Sequence, residues 1–219
     1  MSSRADTADC PVCRGSRTRH FLSVGGRDYW RCESCAATFL DRRHLPDSES
    51  ENARYRLHRN SPDDEAYRSF LRRLADPLLA RLPSGQTGLD YGCGQGPALA
   101  QMLVAAGHTV RLYDPLFRPD RSVLKETYDF ITCAEVAEHL HRPGEEFARL
   151  NHLLRPGGWL GIMTRLLADD DGFAEWHYRR DLTHVVFYKA ATFRHIATRF
   201  NWRCDLPAPD IVLMQRPAD

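Results

Sequence analysis

Four cysteines near the start of the sequence have the spacing of a metal site. Cys10 and Cys13 form one C-x₂-C pair, and Cys32 and Cys35 form a second pair after 18 intervening residues. Four thiolates in two tight turns complete the tetrahedral shell of Zn²⁺ and leave no position open for a substrate. We therefore predict a structural zinc ribbon over residues 1–40, because so short a segment buries too little apolar surface to fold unaided. Two disulfides are the alternative.

A glycine-rich run after a buried strand is the second stretch that could do chemistry. Glycine occupies every second position there, at Gly92, Gly94 and Gly96, so no Cβ atom holds a ligand away from the backbone. The spacing is neither that of dinucleotide enzymes nor that of a P-loop. The strand before the run carries Asp90, and the next strand ends at Asp114, where a βαβ unit places a carboxylate for ribose hydroxyls. A tight turn without a ligand is the alternative.

Together with two later motifs, these residues resemble the class I S-adenosylmethionine (SAM) methyltransferases over roughly residues 85–216. The later motifs are Tyr128-Asp129-Phe130-Ile131 and Leu154-Arg155-Pro156-Gly157-Gly158. The resemblance implies an α/β fold, a Rossmann-like seven-stranded methyltransferase sheet with helices on both faces, and SAM lying across the strand ends. It implies a SAM-dependent methyltransferase whose cofactor contacts we assign to Asp90, Gly92, Gly94, Gly96, Asp114 and Glu135.

Residues 115–127 depart from the pattern of this family. They are too few for the usual helix and third strand, in the region that normally contacts adenine. The adenine contacts are therefore not assigned.

An E-x-x-E-H group follows the fourth predicted strand and consists of Glu135, Glu138 and His139. On a helical turn these positions share one face, where two carboxylates and an imidazole can hold a divalent ion. The spacing resembles the metal motif of small-RNA 2′-O-methyltransferases and of ubiquinone-pathway O-methyltransferases, in which a metal polarises the acceptor oxygen. It predicts a divalent ion such as Mg²⁺, with His184 as a fourth ligand. The alternative is a metal-free site in which Glu138 orients the backbone and His139 packs under the pocket.

The segment from Trp176 to Tyr188 follows the fifth predicted strand, where ligands of such folds gather. It interleaves His, Tyr, Arg and Asp with aromatic residues, which suits the orientation and deprotonation of a polar acceptor. We predict catalytic roles for His184, His177 and Tyr178, with His184 as general base or metal ligand, because histidine titrates near neutral pH. The alternative for His184 is a structural histidine that caps the following helix.

Three segments position these groups: the ribbon at 1–40, a linker with N-terminal helices at 41–84 that caps the cofactor site, and the methyltransferase domain at 85–219. In the middle segment, apolar residues at three- and four-residue spacing predict a helix from about residue 63 to 82, with Pro77 able to kink it. We expect Tyr55, His58 and Asn60 to face the ligand. The alternative is that they are ordinary polar linker residues.

Composition and charge narrow the choice of partners. A net charge of +1 argues against a strong field for nucleic acid. No apolar run reaches membrane-spanning length and no secretion signal stands at the N-terminus, so we expect a cytoplasmic protein with reduced thiols and no membrane contact. We predict a small-molecule O or C acceptor, with RNA, at a ribose 2′-oxygen or a ribosomal-RNA base, as the alternative. A non-catalytic SAM-binding or zinc scaffold is a third possibility, and nothing in the sequence fixes the oligomeric state.

Overall fold

The structure is a computed structural model that describes residues 8–57 and 61–218, so the predictions for His58 and Asn60 lie outside the described residues. Its strands are β1 (Thr18–Val24), β2 (Arg27–Cys32), β3 (Thr38–Leu40), β4 (Thr87–Tyr91), β5 (Thr109–Tyr113), β6 (Tyr128–Ala134), β7 (Leu154–Met163), β8 (Val186–Phe187), β9 (Arg203–Ala208) and β10 (Ile211–Gln215). Its α-helices are α1 (Ser48–Tyr55), α2 (Glu65–Leu79), α3 (Ala98–Ala105), α4 (Pro143–Leu153), α5 (His177–Arg180) and α6 (Ala190–Arg199).

The larger sheet has the strand order β5-β4-β6-β7-β10-β9. Strands β5, β4, β6 and β7 are parallel, whereas β10 runs antiparallel to both β7 and β9. The carboxyl ends of the four parallel strands therefore meet at one edge, where this class of sheet binds its ligands. The predicted α/β, Rossmann-like fold is confirmed. The sheet has six strands among the described residues instead of seven, because residues 115–127 have room only for a 3₁₀ helix, Arg121–Lys125.

Helices cover both faces of this sheet, which agrees with the almost continuous burial of its central strands β4, β6 and β10. Phe130 and Met163 belong to a core cluster with the buried leucines of α2 and α3. Their strand neighbours Ile131 and Ile162 belong to a second cluster, which holds α4, α6 and the ribbon. The helix predicted over about 63–82 is α2. It begins at Glu65 because the Asp64 side chain caps it by accepting hydrogen bonds from the Ala66 and Tyr67 N–H groups, and it ends at Leu79.

The smaller sheet joins the cysteine segment to the rest of the chain. Its order is β1-β2-β3-β8, so three strands from residues 18–40 are completed by Val186–Phe187 from the segment after β7. The first cysteine pair also touches the start of α4, where the Gly144 N–H donates to the Pro11 carbonyl at 2.9 Å. Among the described residues, no helix has the length and apolar character needed to cross a membrane.

Candidate functional site

The glycine loop between β4 and α3 is shaped by two left-handed glycines. Gly92 has φ +79° and Gly94 has φ +65°. The N–H groups of Gly92 and Cys93 donate to the Tyr113 carbonyl at 2.7 and 3.2 Å, which ties the loop to the end of β5. A Cβ atom on Gly92 would lie 2.4 Å from Val136 Cγ2, whereas one on Gly94 would meet nothing within 4 Å. Glycine is therefore required by both conformation and space at position 92, and by conformation alone at 94.

Two carboxylates flank this loop at the ends of β4 and β5. Asp90 is buried and accepts a hydrogen bond from the Thr132 hydroxyl at 2.8 Å, and burial raises its pKa to about 6. Asp114 accepts from the Gly94 N–H at 3.0 Å through one oxygen. Its other oxygen accepts from the N–H groups of Leu116 and Phe117 at 2.8 and 2.9 Å. Asp114 thus fixes the glycine loop against the turn after β5, and its predicted role toward a ribose stays a prediction.

A cavity of about 640 Å³ opens beyond the carboxyl ends of β6 and β7. Its walls combine aromatic rings with ionisable side chains: Phe70, Arg73, Glu135, Arg165, Trp176, His177, Tyr178 and Asp210. Neither Gly92–Gly96 nor Asp114 lines it, so it lies beside the glycine loop and not within it. Such a mixture of flat apolar walls and a few charged groups is typical of small-molecule sites.

Glu135 is the strained residue of this cavity. It has φ +52°, a left-handed conformation that costs a residue with a Cβ atom about 1 kcal/mol, and its N–H donates to the Met163 carbonyl at 2.8 Å. Burial, together with the carboxylates of Glu138 and Asp210, raises the pKa of Glu135 to about 8. Backbone strain and a displaced pKa in one cavity residue are features that cluster at functional sites.

Glu138, His139 and His184 bring three ligand atoms within 4.8 Å of one another. Both imidazoles use Nδ1 on a backbone carbonyl, His139 on Thr183 at 3.0 Å and His184 on Tyr178 at 2.7 Å. With a proton on each Nδ1, the lone pair of each ring lies on Nε2. Burial and the neighbouring His139 lower the pKa of His184, which favours its neutral form.

The carboxylate of this group is only half satisfied. Glu138 is fully buried, and one of its oxygens accepts from the Thr164 hydroxyl at 2.8 Å. The other oxygen has no hydrogen-bond partner among the described residues, and His139 Nε2 lies 4.0 Å from it. The structure does not bring Glu135 into the group, because a 3₁₀ turn over Ala137–His139 replaces the predicted helix.

The three predicted catalytic side chains occupy different surroundings. His177 lines the cavity with Nε2 3.3 Å from Arg165 Nη1. Tyr178 also lines it, but its hydroxyl contacts Thr164 Oγ1 at 3.1 Å and accepts from the Arg165 N–H, and burial raises its pKa well above the usual value. His184 is buried between the rings of Tyr178 and His139, with centroids 4.1 and 4.6 Å away, and is not among the residues that line the cavity.

The helix α1 covers this histidine pair from outside. The ring of Tyr55 meets that of His139 edge-on, with centroids 5.3 Å apart. Arg54 pairs with Asp181 at 2.9 Å. The segment ahead of α2 therefore lies over the E-x-x-E-H region and the loop that carries His184.

The four cysteine sulfurs converge in the first core cluster. The sulfurs of Cys10 and Cys35 are 3.6 Å apart, and those of Cys13 and Cys32 are 3.5 Å apart. These distances are too long for a disulfide and close to the edge of about 3.8 Å in a tetrahedron with zinc–sulfur bonds of about 2.3 Å. The two C-x₂-C pairs have the same local geometry. Each is followed by a residue in the left-handed conformation, Arg14 at φ +63° after Cys13 and Ala36 at φ +62° after Cys35.

Several cavity residues had no signal in the sequence. Phe70 and Arg73 come from α2, and Asp210 comes from the turn before β10. Arg73 and Asp210 lie far apart along the chain, and only the fold brings them together at the cavity, where Arg73 donates to the Asp210 carboxylate. Arg73 could not be singled out from the sequence, because this chain carries many arginines and nothing in the local pattern distinguishes those that line the cavity.

The central part of the chain is similar to known proteins. A family model described as a methyltransferase domain matches residues 60–206. The ubiquinone biosynthesis O-methyltransferase of Burkholderia cenocepacia is 30% identical over 37% of this chain and 45% of its own length. The chain thus spans less than half the length of the curated relatives it matches.

Solved structures share the fold at low identity. The 1,6-didemethyltoxoflavin N1-methyltransferase of Burkholderia thailandensis, with S-adenosylhomocysteine bound, superposes with a TM-score of 0.54 at 16% identity and covers 91% of this chain and 99% of its own. The magnesium protoporphyrin IX methyltransferase of Synechocystis PCC 6803 gives 0.52 at 15% identity, over 77% and 94%. At these identities the likeness shows the fold alone.

Proposed function

Because the chain belongs to the methyltransferase domain family and is a SAM-dependent methyltransferase, we propose that it methylates a small-molecule acceptor in the cavity beside Glu135. The observation that carries this proposal is the cavity itself. Its volume of about 640 Å³ lies within the range of small-molecule pockets, and it opens where the parallel strands end. An oxygen acceptor is favoured over carbon, because the matched relatives are named O-methyltransferases.

The cofactor is proposed to bind at the glycine loop. Gly92, Gly94 and Gly96 shape the side that takes the methionine portion, with Asp90 beneath them, and Asp114 is suited to the ribose hydroxyls. SAM supplies an electrophilic methyl group for in-line displacement at its sulfonium sulfur. The contribution of this chain is to hold the acceptor atom on that line and to exclude water from it.

An acceptor hydroxyl must give up its proton as its oxygen takes the methyl group. Glu135 is the cavity carboxylate proposed to accept that proton, because its pKa is raised to about 8, and the His177 imidazole lines the same cavity as a second candidate. Tyr178 is suited to hold the wall instead, since its hydroxyl is engaged and its pKa lies well above neutrality. Phe70 and Trp176 offer flat surfaces for an aromatic acceptor.

The group of Glu138, His139 and His184 fits a divalent ion because of its donor atoms. The Nε2 atoms of His139 and His184 and the unpaired Glu138 oxygen would hold it, and each imidazole is oriented by a backbone carbonyl as metal-bound histidines usually are. Two nitrogens and one carboxylate suit a transition metal better than Mg²⁺, which prefers an all-oxygen shell. Such an ion would act as a Lewis acid toward a coordinated oxygen.

The four cysteines are proposed to bind a structural Zn²⁺. Their sulfur distances match a tetrahedral shell, and the closed set of four thiolates leaves no position for chemistry. The cysteines are part of the protein core, so the ion would stabilise the sheet that carries β8.

RNA is the second candidate acceptor, favoured by one groove. This groove of about 900 Å³ lies between the first cysteine pair and the start of α4, and its basic side chains are Arg14, Arg42, Arg43, His141 and Arg142. Three acids, Asp9, Asp41 and Glu145, offset most of this charge. The family match leaves the non-catalytic scaffold without support.

The test is a methyl-transfer assay with tritiated SAM against a panel of phenols and catechols and, separately, total RNA. The small-molecule proposal predicts label in an extractable product, lost in Gly92→Val and reduced about 100-fold in Glu135→Gln if Glu135 is the base. Label confined to RNA, with binding that weakens steeply as salt is raised, would select the alternative. No label in any arm would contradict both acceptors.

A further inference from the structure

The ribbon shares a sheet with the end of the loop that supplies one wall of the cavity. We define the acceptor loop as residues 164–188, which includes the cavity residues Arg165, Trp176 and His177. The end of this loop is β8, and its register pairs Thr38 with Phe187. The Leu40 N–H also donates to the Val185 carbonyl at 2.8 Å. The strand β8 therefore pairs with the cysteine segment and not with the larger sheet.

An aromatic cluster extends this contact to the cavity. Phe173, in the middle of the acceptor loop, is fully buried, and its ring centroid lies 5.1 Å from those of Tyr29 on β2 and Phe187 on β8. Trp176 packs on the same cluster, 5.9 Å from Phe187, and lines the cavity. A shift of the ribbon would thus displace a ring that faces the ligand space.

Arg31 on β2 makes a two-pronged ion pair between the ribbon and the acceptor loop. Its side chain is 7% exposed, and its two terminal nitrogens donate to the two carboxylate oxygens of Asp170 at 3.0 and 2.6 Å. Its Nε donates to Thr38 Oγ1 at 2.7 Å, and Lys189 pairs with the same carboxylate at 2.8 Å. A two-pronged arginine–carboxylate pair fixes orientation as well as distance.

Asp170 stands between two residues of the cavity wall, Asp169 and Gly172. The bonds that hold the glycine loop come from a different place, the Tyr113 carbonyl and the Asp114 carboxylate at the end of β5. The Arg31 contact therefore acts on the acceptor side of the site, whereas the cofactor side has its own supports.

We propose that the cysteine ribbon is a positioning element of the acceptor site, and that Arg31 is the positioning residue through which it fixes the cavity wall. This inference rests on the proposed function, since it takes the cavity as the place where the acceptor binds. It assigns the ribbon a role in acceptor recognition within the same chain.

Hydrogen–deuterium exchange measured by mass spectrometry tests this role without knowledge of the acceptor. Arg31→Met should accelerate exchange in peptides from the acceptor loop about tenfold or more and leave the glycine-loop peptides within about twofold of the wild type. Arg31→Lys should fall between, because lysine keeps the charge and loses the fork. The matched control is Arg17→Met, which removes an exposed ribbon arginine whose side chain pairs, within the described part of the chain, only with Glu33 at 3.6 Å. Asp170→Asn removes the other partner and serves if Arg31→Met does not fold.

The kinetic arm uses the phenol or catechol that gives label in the transfer assay. Arg31→Met should raise its KM about tenfold while kcat stays within about threefold and SAM affinity is unchanged. Unaltered loop exchange, equal acceleration in both sets of peptides, or an unchanged KM beside a loosened loop would each overturn the proposal. A wild-type protein that methylates nothing would contradict the proposed function, and the exchange result would still decide whether Arg31 orders the loop.

Discussion

The proposed cofactor side and the proposed acceptor side of this site are built in different ways. The cofactor side lies within residues 90–114 and is held by backbone hydrogen bonds, left-handed glycines and one carboxylate. The acceptor side gathers side chains from α2, the end of β6, the acceptor loop and the turn before β10, and leans on a ribbon from the other end of the chain. A site built from backbone groups depends on a few positions, and those positions tolerate few substitutions. A site built from side chains can change its specificity through substitutions at many positions.

The largest expected effect is at Gly92 on the cofactor side. Gly92→Val places branched carbons where a Cβ alone would lie 2.4 Å from Val136 Cγ2, at φ +79°. We expect SAM affinity to fall more than about 100-fold, measured by calorimetric titration. The matched control is Gly94→Ala, where a Cβ meets nothing within 4 Å and only the left-handed backbone costs energy. Equal losses in the two variants would mean that close packing on Val136 does not matter.

The second largest effect is expected from removal of the proposed Zn²⁺ from the ribbon, which supports the acceptor side. Removal of the proposed Zn²⁺ with a strong thiol-compatible chelator should lower the melting temperature by about 10 °C or more, because the ribbon loses the ion that closes it. The loss should appear first as exchange in β1–β3 and the acceptor loop, and metal analysis should give one zinc per chain beforehand. Protein that contains no zinc as purified and is indifferent to the chelator would contradict the four-cysteine site.

Asp114 provides a smaller effect on the cofactor side. The Asp114 carboxylate accepts hydrogen bonds from the N–H groups of Gly94, Leu116 and Phe117. Asp114→Asn replaces one carboxylate oxygen by an NH₂ group, which cannot accept from the N–H group it faces. The SAM dissociation constant should rise about tenfold, with the fold retained by circular dichroism. Asp120→Asn is the control, since it caps the Ser122 N–H in the same way on an exposed turn. An unchanged constant would remove Asp114 from the cofactor site.

The same contrast explains what the sequence alone could predict. The glycine loop, Asp114 and the cysteine pairs could be located from the sequence, because they are local patterns whose residues are near one another both along the chain and in the fold. Glu135 illustrates the limit: its spacing from Glu138 predicted a shared helical face, but its left-handed backbone sends it to the cavity instead. Arg31 and Asp170 are 139 residues apart, and no local pattern announces a pair that exists only because β3 joins β8.

The smallest effects are changes in pH dependence with opposite signs. The pKa of Glu135 is raised to about 8, so the folded state binds more protons than the unfolded one and wild-type stability falls between pH 4.5 and 8. Glu135→Gln should flatten that fall.

Arg31 and then Lys189 lower the pKa of Asp170 to about 2, so its stabilisation is present above pH 4 and lost toward pH 2. Asp170→Asn should therefore destabilise at pH 7 and match the wild type near pH 2. Melting curves at each pH would show both, and slopes of the same sign would contradict the two environments.

The most direct test of the division between the two sides is calorimetric titration of SAM into wild-type protein and into Arg31→Met. We expect one site per chain and dissociation constants that agree within about twofold, because the ribbon supports the acceptor wall and not the glycine loop. A dissociation constant raised about tenfold or more in the variant would contradict this expectation, since the ribbon would then support both sides of the site.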